Sequence, residues 1–169
     1  MSDQHIILLI DNSHSMKNFF SKMAEGINAL TYRLKKEAPA ARVTLIKFCD
    51  TSTTIWLNTP PHHLCLISAH AFEPPGGTAL YDAVGDVLNQ FHPEDSTHNT
   101  LYIVTDGEDN FSKRYTRENI VTLTDAASRT GHWTINFCDT VSRTFDFTAN
   151  NHILYKHEDI DQLLAGLSL

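Results

Sequence analysis

Five aliphatic residues near the start of the chain run directly into a cluster of oxygen-bearing side chains. The run Ile6–Ile10 is followed by a short segment in which Asp11, Ser13 and Ser15 alternate with other residues. An uninterrupted apolar run of this length is typical of a strand that is buried on both faces of a parallel sheet. The carboxylate and the two hydroxyls then lie at the carboxyl end of the strand, where open α/β sheets place their ligands.

The rest of the chain repeats the order of strand, loop and helix. Apolar runs and helical spacing therefore predict a doubly wound α/β fold, with a mainly parallel central sheet, one antiparallel edge strand and helices on both faces. The predicted strands are residues 5–10, 42–48, 53–57 (the antiparallel edge), 100–105, 132–139 and 153–155. The predicted helices are residues 16–36, 62–67, 80–91, 117–130 and 158–167, with a short helix or turn over 144–150. Ser15 and Thr78 are candidate helix caps, and Gly131 is a candidate C-cap.

Length and charge limit the class of protein. The 169 residues suit a single domain, 1–169, with a sizeable core. A formal net charge of −7 argues against nucleic-acid binding, which needs a basic face. The longest aliphatic run has five residues, which is too short to span a membrane.

The cysteines and the chain start indicate where such a protein works. The 3 Cys are odd in number and form no C-x-x-C pair, so neither a disulfide framework nor a zinc knuckle is expected. Free thiols fit a reducing compartment. Because the first strand begins so close to residue 1, we expect no removable leader. Together these features predict a cytoplasmic protein.

Three segments carry candidate metal ligands. Asp11, Ser13 and Ser15 follow the first strand, Thr78 follows two glycines before the middle helix, and Asp106 ends the fourth strand. The ends of strands and helices in a doubly wound sheet converge on one rim, so we expect these five side chains to meet. Two carboxylates and three hydroxyls offer oxygen ligands to a hard cation that takes about six. The pattern therefore predicts a Mg²⁺-type site (or Mn²⁺ or Ca²⁺) with a position left open.

The three segments, in this order and on this pattern of strands and helices, resemble the von Willebrand factor A domain, also called the integrin I domain. Its metal-ion-dependent adhesion site (MIDAS) combines an Asp-x-Ser-x-Ser loop, a Thr in a second loop and an Asp in a third. By this resemblance, Ser13, Ser15 and Thr78 bind the metal directly or nearly so, and Asp11 and Asp106 bind it directly or through water. The resemblance also implies a protein partner that completes the coordination with an Asp or Glu carboxylate.

Other functions fit parts of the pattern. A Mg²⁺-dependent phosphoryl-transfer or hydrolytic enzyme also places an Asp after its first strand, but the haloacid-dehalogenase-like type needs Asp-x-Asp, and Ser13 stands at the second position. A scaffold that never uses its metal is the third alternative. We expect a non-catalytic binding module, with oligomeric state and partner left open. The absence of other modules favours an intracellular adaptor or a subunit of a larger complex, either ATPase-linked or of a stress-response system such as tellurite resistance.

Neighbouring residues have simpler interpretations. We expect Met16, Phe19 and Phe20 to lie in the core. Asp82, in the first turn of its helix, favours the helix dipole. Glu108, Asp109 and His14 are predicted to be solvated loop residues. Tyr81 and Phe111 flank the rim, and one of them is a candidate aromatic anchor for a partner.

Overall fold

The computed structural model describes residues 3–92, 97–141 and 148–169. The six strands are β1 (Asp3–Asp11), β2 (Arg42–Phe48), β3 (Ser52–Thr59), β4 (Thr97–Val104), β5 (Trp133–Asp139) and β6 (Asn151–Leu154). The four α-helices are α1 (Phe20–Glu37), α2 (Leu80–Gln90), α3 (Arg117–Arg129) and α4 (Ile160–Ala165). Short 3₁₀ helices cover His14–Phe19, Pro61–His63, Ala69–Phe72 and His157–Asp159.

The strands form one sheet in the order β3-β2-β1-β4-β5-β6. All neighbouring pairs are parallel except β2 and β3, whose pairing is antiparallel at one edge. This confirms the predicted fold class. The chain leaves β1 toward β2 on one side and returns through β4 on the other, so the carboxyl ends of β1 and β4 flank a topological switch point. Ligand crevices open at such points.

The first strand divides its apolar side chains between two cores. Ile6, Leu8 and Ile10 face the core that α1 and α4 cover. Ile7 and Leu9 face the opposite core, which α2 and α3 cover. All five side chains are buried. Burial on both faces explains why the run carries no polar residue, and it confirms the expectation for this strand.

The first helix begins later than the sequence predicts. Residues 14–19 form a 3₁₀ helix, and α1 starts only at Phe20. The His14 amide donates to the Gly76 carbonyl at 2.9 Å, which ties this segment to a neighbouring loop. Ser15 therefore lies inside the 3₁₀ turn and is not a helix cap. The predicted cap at Thr78 is also wrong, because Ala79 precedes α2 and no side chain caps it.

Other boundaries differ at the ends of elements. The helix predicted for residues 62–67 is a single 3₁₀ turn at Pro61–His63, and the turn at Ala69–Phe72 was not predicted. The last helix is shorter than predicted because Glu158 and Asp159 belong to a 3₁₀ turn. Gly131 follows α3 with a φ of 73°, as expected of a residue that ends a helix. Of the turn predicted at 144–150, residues 144–147 lie outside the described residues, and residues 148–150 are not helical.

Helices α1 and α4 are joined by close backbone approach and by charged side chains. A Cβ atom on Gly26 would lie 2.6 Å from the Asp161 carbonyl oxygen, so only glycine fits this crossing. One turn earlier, Lys22 donates to the Glu158 carbonyl. Two turns later, Arg33 donates to the carbonyls of Ala165 and Leu167 at 2.7 and 3.0 Å. The C-terminal segment is therefore held against α1 along its length.

We expect Gly26→Ala to destabilise the protein. The added methyl group forces α4 away from α1, and overpacking of this kind costs about 1–3 kcal/mol of folding free energy. This cost exceeds the roughly 0.5–1 kcal/mol by which alanine stabilises a helix relative to glycine. Urea unfolding followed by circular dichroism measures the change. Glu25→Ala, at an exposed position of the same helix, is the control, and its free energy of unfolding should stay within about 0.5 kcal/mol of wild type.

Candidate metal site at the sheet rim

Asp11 ends the central strand and is fully buried. Its Oδ1 accepts a hydrogen bond from the Ser13 amide at 2.7 Å, and its Oδ2 accepts one from the Thr105 hydroxyl at 2.6 Å. Burial raises the pKa of Asp11 above its ordinary value, although these hydrogen bonds oppose the shift and the nearby Asp106 carboxylate adds to it. Asp11 is therefore a buried carboxylate whose ionised form is costly in the metal-free protein.

A chain of hydrogen bonds connects the first loop with the loop after β4. The Ser13 and Ser15 hydroxyl oxygens are 3.1 Å apart. The Ser15 hydroxyl donates to Asp106 Oδ1 at 2.7 Å. Ser13 is buried and Ser15 is exposed. Four of the five residues proposed from the sequence thus meet at the switch point between β1 and β4.

Thr78 lies beside this group. Its Oγ1 would be 3.5 Å from a Cβ atom on Gly107, the residue after Asp106. Asn110 fixes the backbone of Thr78 from two sides. Its side-chain Oδ1 accepts a hydrogen bond from the Thr78 backbone amide, and its backbone amide donates one to the Thr78 carbonyl, both at 2.9 Å. Sequence reasoning missed this function of Asn110, because a loop asparagine four residues after Asp106 carries no pattern that points to Thr78.

The second residue that sequence reasoning missed is His157. Its Nε2 lies 2.6 Å from Asp106 Oδ2, so both Asp106 oxygens hold hydrogen bonds. The imidazole stacks on Phe19, with ring centroids 4.8 Å apart. Phe19 is half-buried: it packs against the core that α1 and α4 cover, as predicted in part, and it also contacts a histidine at the rim. His157 is 51 residues from Asp106 in the chain, so no local spacing could have indicated the contact.

The two glycines before Thr78 lie close to the turn after β2. A Cβ atom on Gly76 would lie 2.7 Å from Asp50 Oδ1, and one on Gly77 would lie 2.8 Å from the same atom. Asp50 accepts a hydrogen bond from the Gly77 amide. Asp50 therefore helps to hold the loop that presents Thr78.

Asp82 organises the loop between β4 and α3. Its carboxylate accepts hydrogen bonds from the amides of Lys113, Arg114 and Tyr115, each at 2.9–3.0 Å. Burial opposes ionisation, but these hydrogen bonds together lower the pKa of Asp82 below its ordinary value. Asp82 thus does more than favour the helix dipole, because it anchors the loop that carries Asn110.

The exposure of the loop residues around the rim agrees in part with the predictions made from the sequence. Glu108 and His14 are exposed as predicted. Asp109 is half-buried, and its Oδ1 accepts a hydrogen bond from the Tyr81 amide at 3.1 Å, so it is not a simply solvated residue. Phe111 is 38% exposed and Tyr81 is half-buried, so Phe111 is the more exposed of the two aromatic side chains.

The chemistry of the rim is that of oxygen ligands. In the described part of the chain, no three His, Cys, Asp or Glu side chains are grouped in a way that would hold a metal ion. A metal at this rim would therefore depend on the hydroxyls of Ser13, Ser15 and Thr78 together with two carboxylates. Such a set fits a hard cation such as Mg²⁺, Mn²⁺ or Ca²⁺ better than a thiolate-seeking metal.

Comparison with solved structures supports the fold. The proximal thread matrix protein 1 of the mussel byssus is 14% identical, with a TM-score of 0.69 over 97% of this chain and 46% of that one. The ArnB paralog VWA2 from Sulfolobus acidocaldarius is 17% identical, with a TM-score of 0.68 over 98% of this chain and 45% of that one. The chain therefore spans less than half the length of these proteins.

A further structure of the mussel protein is described with a zinc-occupied MIDAS motif. It is 12% identical to this chain, with a TM-score of 0.60 over 96% of this chain and 46% of that one. A divalent metal is thus known at the MIDAS of a protein that shares the fold.

The sequence comparisons identify the family. The search of curated protein sequences returned no match. The model of the von Willebrand factor type A domain matches residues 6–108, which include both loops that carry the two carboxylates. Domains of this family commonly mediate interactions between proteins and are typically not enzymes. On the match of its sequence and the architecture of its sheet, the chain belongs to the von Willebrand factor type A domain family.

Proposed function

We propose that the protein is a metal-dependent protein-binding module. Asp11, Ser13, Ser15, Thr78 and Asp106 hold a divalent cation, Mg²⁺ in the first instance and alternatively Mn²⁺ or Ca²⁺. When bound, the cation supplies a Lewis-acidic position that an Asp or Glu carboxylate of a partner protein occupies. The protein itself carries out no reaction.

The spacing of three oxygen atoms is the observation on which this proposal depends. Ser13 Oγ and Ser15 Oγ are 3.1 Å apart, and Ser15 Oγ and Asp106 Oδ1 are 2.7 Å apart. Neighbouring ligands of an octahedral Mg²⁺ are separated by about 3.0 Å, since each Mg–O distance is about 2.1 Å. The Ser15 hydroxyl therefore lies at about the spacing of neighbouring cation ligands from both the Ser13 hydroxyl and the Asp106 carboxylate.

The balance of charged and neutral ligands supports an acidic partner. Only Asp11 and Asp106 among the five residues carry charge, so a divalent cation is at most neutralised by this set and still attracts a carboxylate. Ser15 is exposed, which leaves the rim open to a partner. The net charge of −7 repels an acidic partner at long range, but salt screens that field beyond about 8–10 Å, whereas direct coordination is not screened.

A Mg²⁺-dependent hydrolase is the less favoured function. Such an enzyme needs an acid–base group beside its nucleophilic Asp, and Ser13 cannot serve as one near neutral pH. Arg114, in the loop before α3, is engaged by Asp86 in a two-point ion pair.

We also propose that the module works in the cytoplasm, as an adaptor or as a subunit of a larger stress-response or ATPase-linked complex. Cys49, Cys65 and Cys138 are unpaired, which fits a reducing compartment. None of the helices formed by residues 3–92, 97–141 and 148–169 is long and apolar enough to cross a membrane.

Metal titration tests the proposed site. Isothermal titration calorimetry with Mg²⁺ and with Mn²⁺ should show one site in the wild-type protein. Asp106→Ala should remove it, because the substitution deletes an oxygen ligand and half of the negative charge. Metal should also raise the melting temperature of the wild type and leave that of Asp106→Ala unchanged.

The control for this titration is Glu108→Gln. This substitution removes an exposed carboxylate two residues away, outside the proposed ligand set. Its affinity should stay within about threefold of wild type. Equal metal binding by wild type and Asp106→Ala would refute the site as we describe it.

Asp11→Asn should raise the stability of the metal-free protein at neutral pH. The amide oxygen can still accept from the Ser13 amide, while the amide nitrogen donates to the Thr105 hydroxyl, and the cost of a buried charge is removed. Because the pKa of Asp11 is raised in the folded state, the wild type regains this stability as the pH falls from that raised pKa toward the ordinary Asp value. Urea unfolding in EDTA at a series of pH values from 7 down toward the ordinary pKa of Asp should therefore show the variant's advantage shrinking as the pH falls.

A pull-down experiment tests the partner. Immobilised wild-type protein in Mg²⁺ should retain a partner that is lost in EDTA and lost with Asp106→Ala in Mg²⁺. The Glu108→Gln protein should retain it. A partner that remains bound under all four conditions does not dock on the metal.

A further inference from the structure

His157 meets the rim from the opposite end of the chain. It lies in the segment between β6 and α4, and its Nε2 donates to Asp106 Oδ2 at 2.6 Å. The Asp106 side chain is only 2% exposed, whereas that of His157 is 33% exposed. Because the two Asp106 oxygens have different partners, the hydrogen bond from His157 leaves Oδ1 directed at Ser15.

The imidazole is held in place on several sides. Two residues before it, the Tyr155 amide donates to the Asp139 carbonyl and the Tyr155 hydroxyl donates to the Thr105 carbonyl, both at 3.0 Å. One residue after it, the Glu158 carbonyl accepts from Lys22 of α1. The ring itself stacks on Phe19 at 4.8 Å with an interplanar angle of 21°. His157 is therefore pre-oriented toward Asp106 by contacts that do not involve Asp106.

We propose that His157 is the positioning residue of the metal site: its hydrogen bond to Oδ2 fixes the Asp106 carboxylate with Oδ1 beside the Ser15 hydroxyl, ready to meet a cation. This inference rests on the proposed function, since it assigns a role in metal binding. Hydrogen bonds from a neighbouring side chain to a metal-binding carboxylate fix its orientation, and their removal typically lowers metal affinity about 10- to 100-fold.

A purely structural role predicts a different outcome. If His157 only satisfies a buried carboxylate and packs on Phe19, its replacement changes the stability of the metal-free protein, and the affinity of the folded protein for metal stays the same. Stability in EDTA and metal affinity must therefore be measured separately.

Two variants separate the hydrogen bond from the packing. His157→Phe keeps an aromatic ring to stack on Phe19 but has no donor. His157→Gln keeps an N–H donor but loses the ring. The control is His62→Phe, which replaces an exposed histidine two residues before Leu64, whose carbonyl accepts a hydrogen bond from Lys35 in the last turn of α1. Each protein is titrated with Mg²⁺ and with Mn²⁺ by calorimetry and unfolded by urea in EDTA.

We expect His157→Phe to bind both metals about 10- to 100-fold more weakly than wild type. His157→Gln should recover at least part of that affinity. His62→Phe should bind both metals as wild type does. Metal binding by His157→Phe that equals wild type would overturn the inference while leaving the proposed function intact. Binding by His157→Gln as weak as that of His157→Phe would also overturn it, because the donor would then not be the cause. A wild-type protein that binds neither metal would refute the proposed function and this inference together.

Discussion

The burial of Asp11 at the end of the central strand is the constraint around which the rim is arranged. A carboxylate without solvent must have its oxygens hydrogen-bonded, and here the Ser13 amide and the Thr105 hydroxyl meet that need. The first partner sets the turn of the loop after β1. The second joins the end of β1 to the residue that directly follows β4, 94 residues later in the chain. The local shape of the site thus follows from the need to compensate one buried charge.

The topology of the sheet places the other residues. Because β1 lies between β2 and β4, the loops from both halves of the fold converge at the carboxyl end of one central strand. Asp11 ends β1, Asp106 lies two residues past the end of the adjacent parallel strand β4, and Thr78 lies on the loop before α2. Such a crevice needs no rearrangement of the sheet to form a site, since the strand order alone brings the loops together.

The loops at the rim are held by side chains that are themselves outside the proposed ligand set. Asn110 binds both sides of the Thr78 peptide, Asp82 collects three amides of the following loop, and Asp50 holds Gly77. His157 does the same for Asp106. Three of the five proposed ligands are neutral hydroxyls, which attract a cation only where their oxygens are correctly placed, and these supporting contacts fix the loops that carry them.

The sequence by itself determined the layers of the fold and the chemistry of the rim. The apolar run Ile6–Ile10 required a strand covered on both faces, and the oxygen-bearing residues at the ends of separate segments indicated a cation, because periodicity and side-chain chemistry are local properties. The start of α1, the role of Asp82 and the contacts of Asn110 and His157 were decided only by the tertiary structure. Each depends on hydrogen bonds between segments distant in the chain, such as His14 to Gly76 or His157 to Asp106, and no local pattern encodes which distant groups will meet once the sheet has formed.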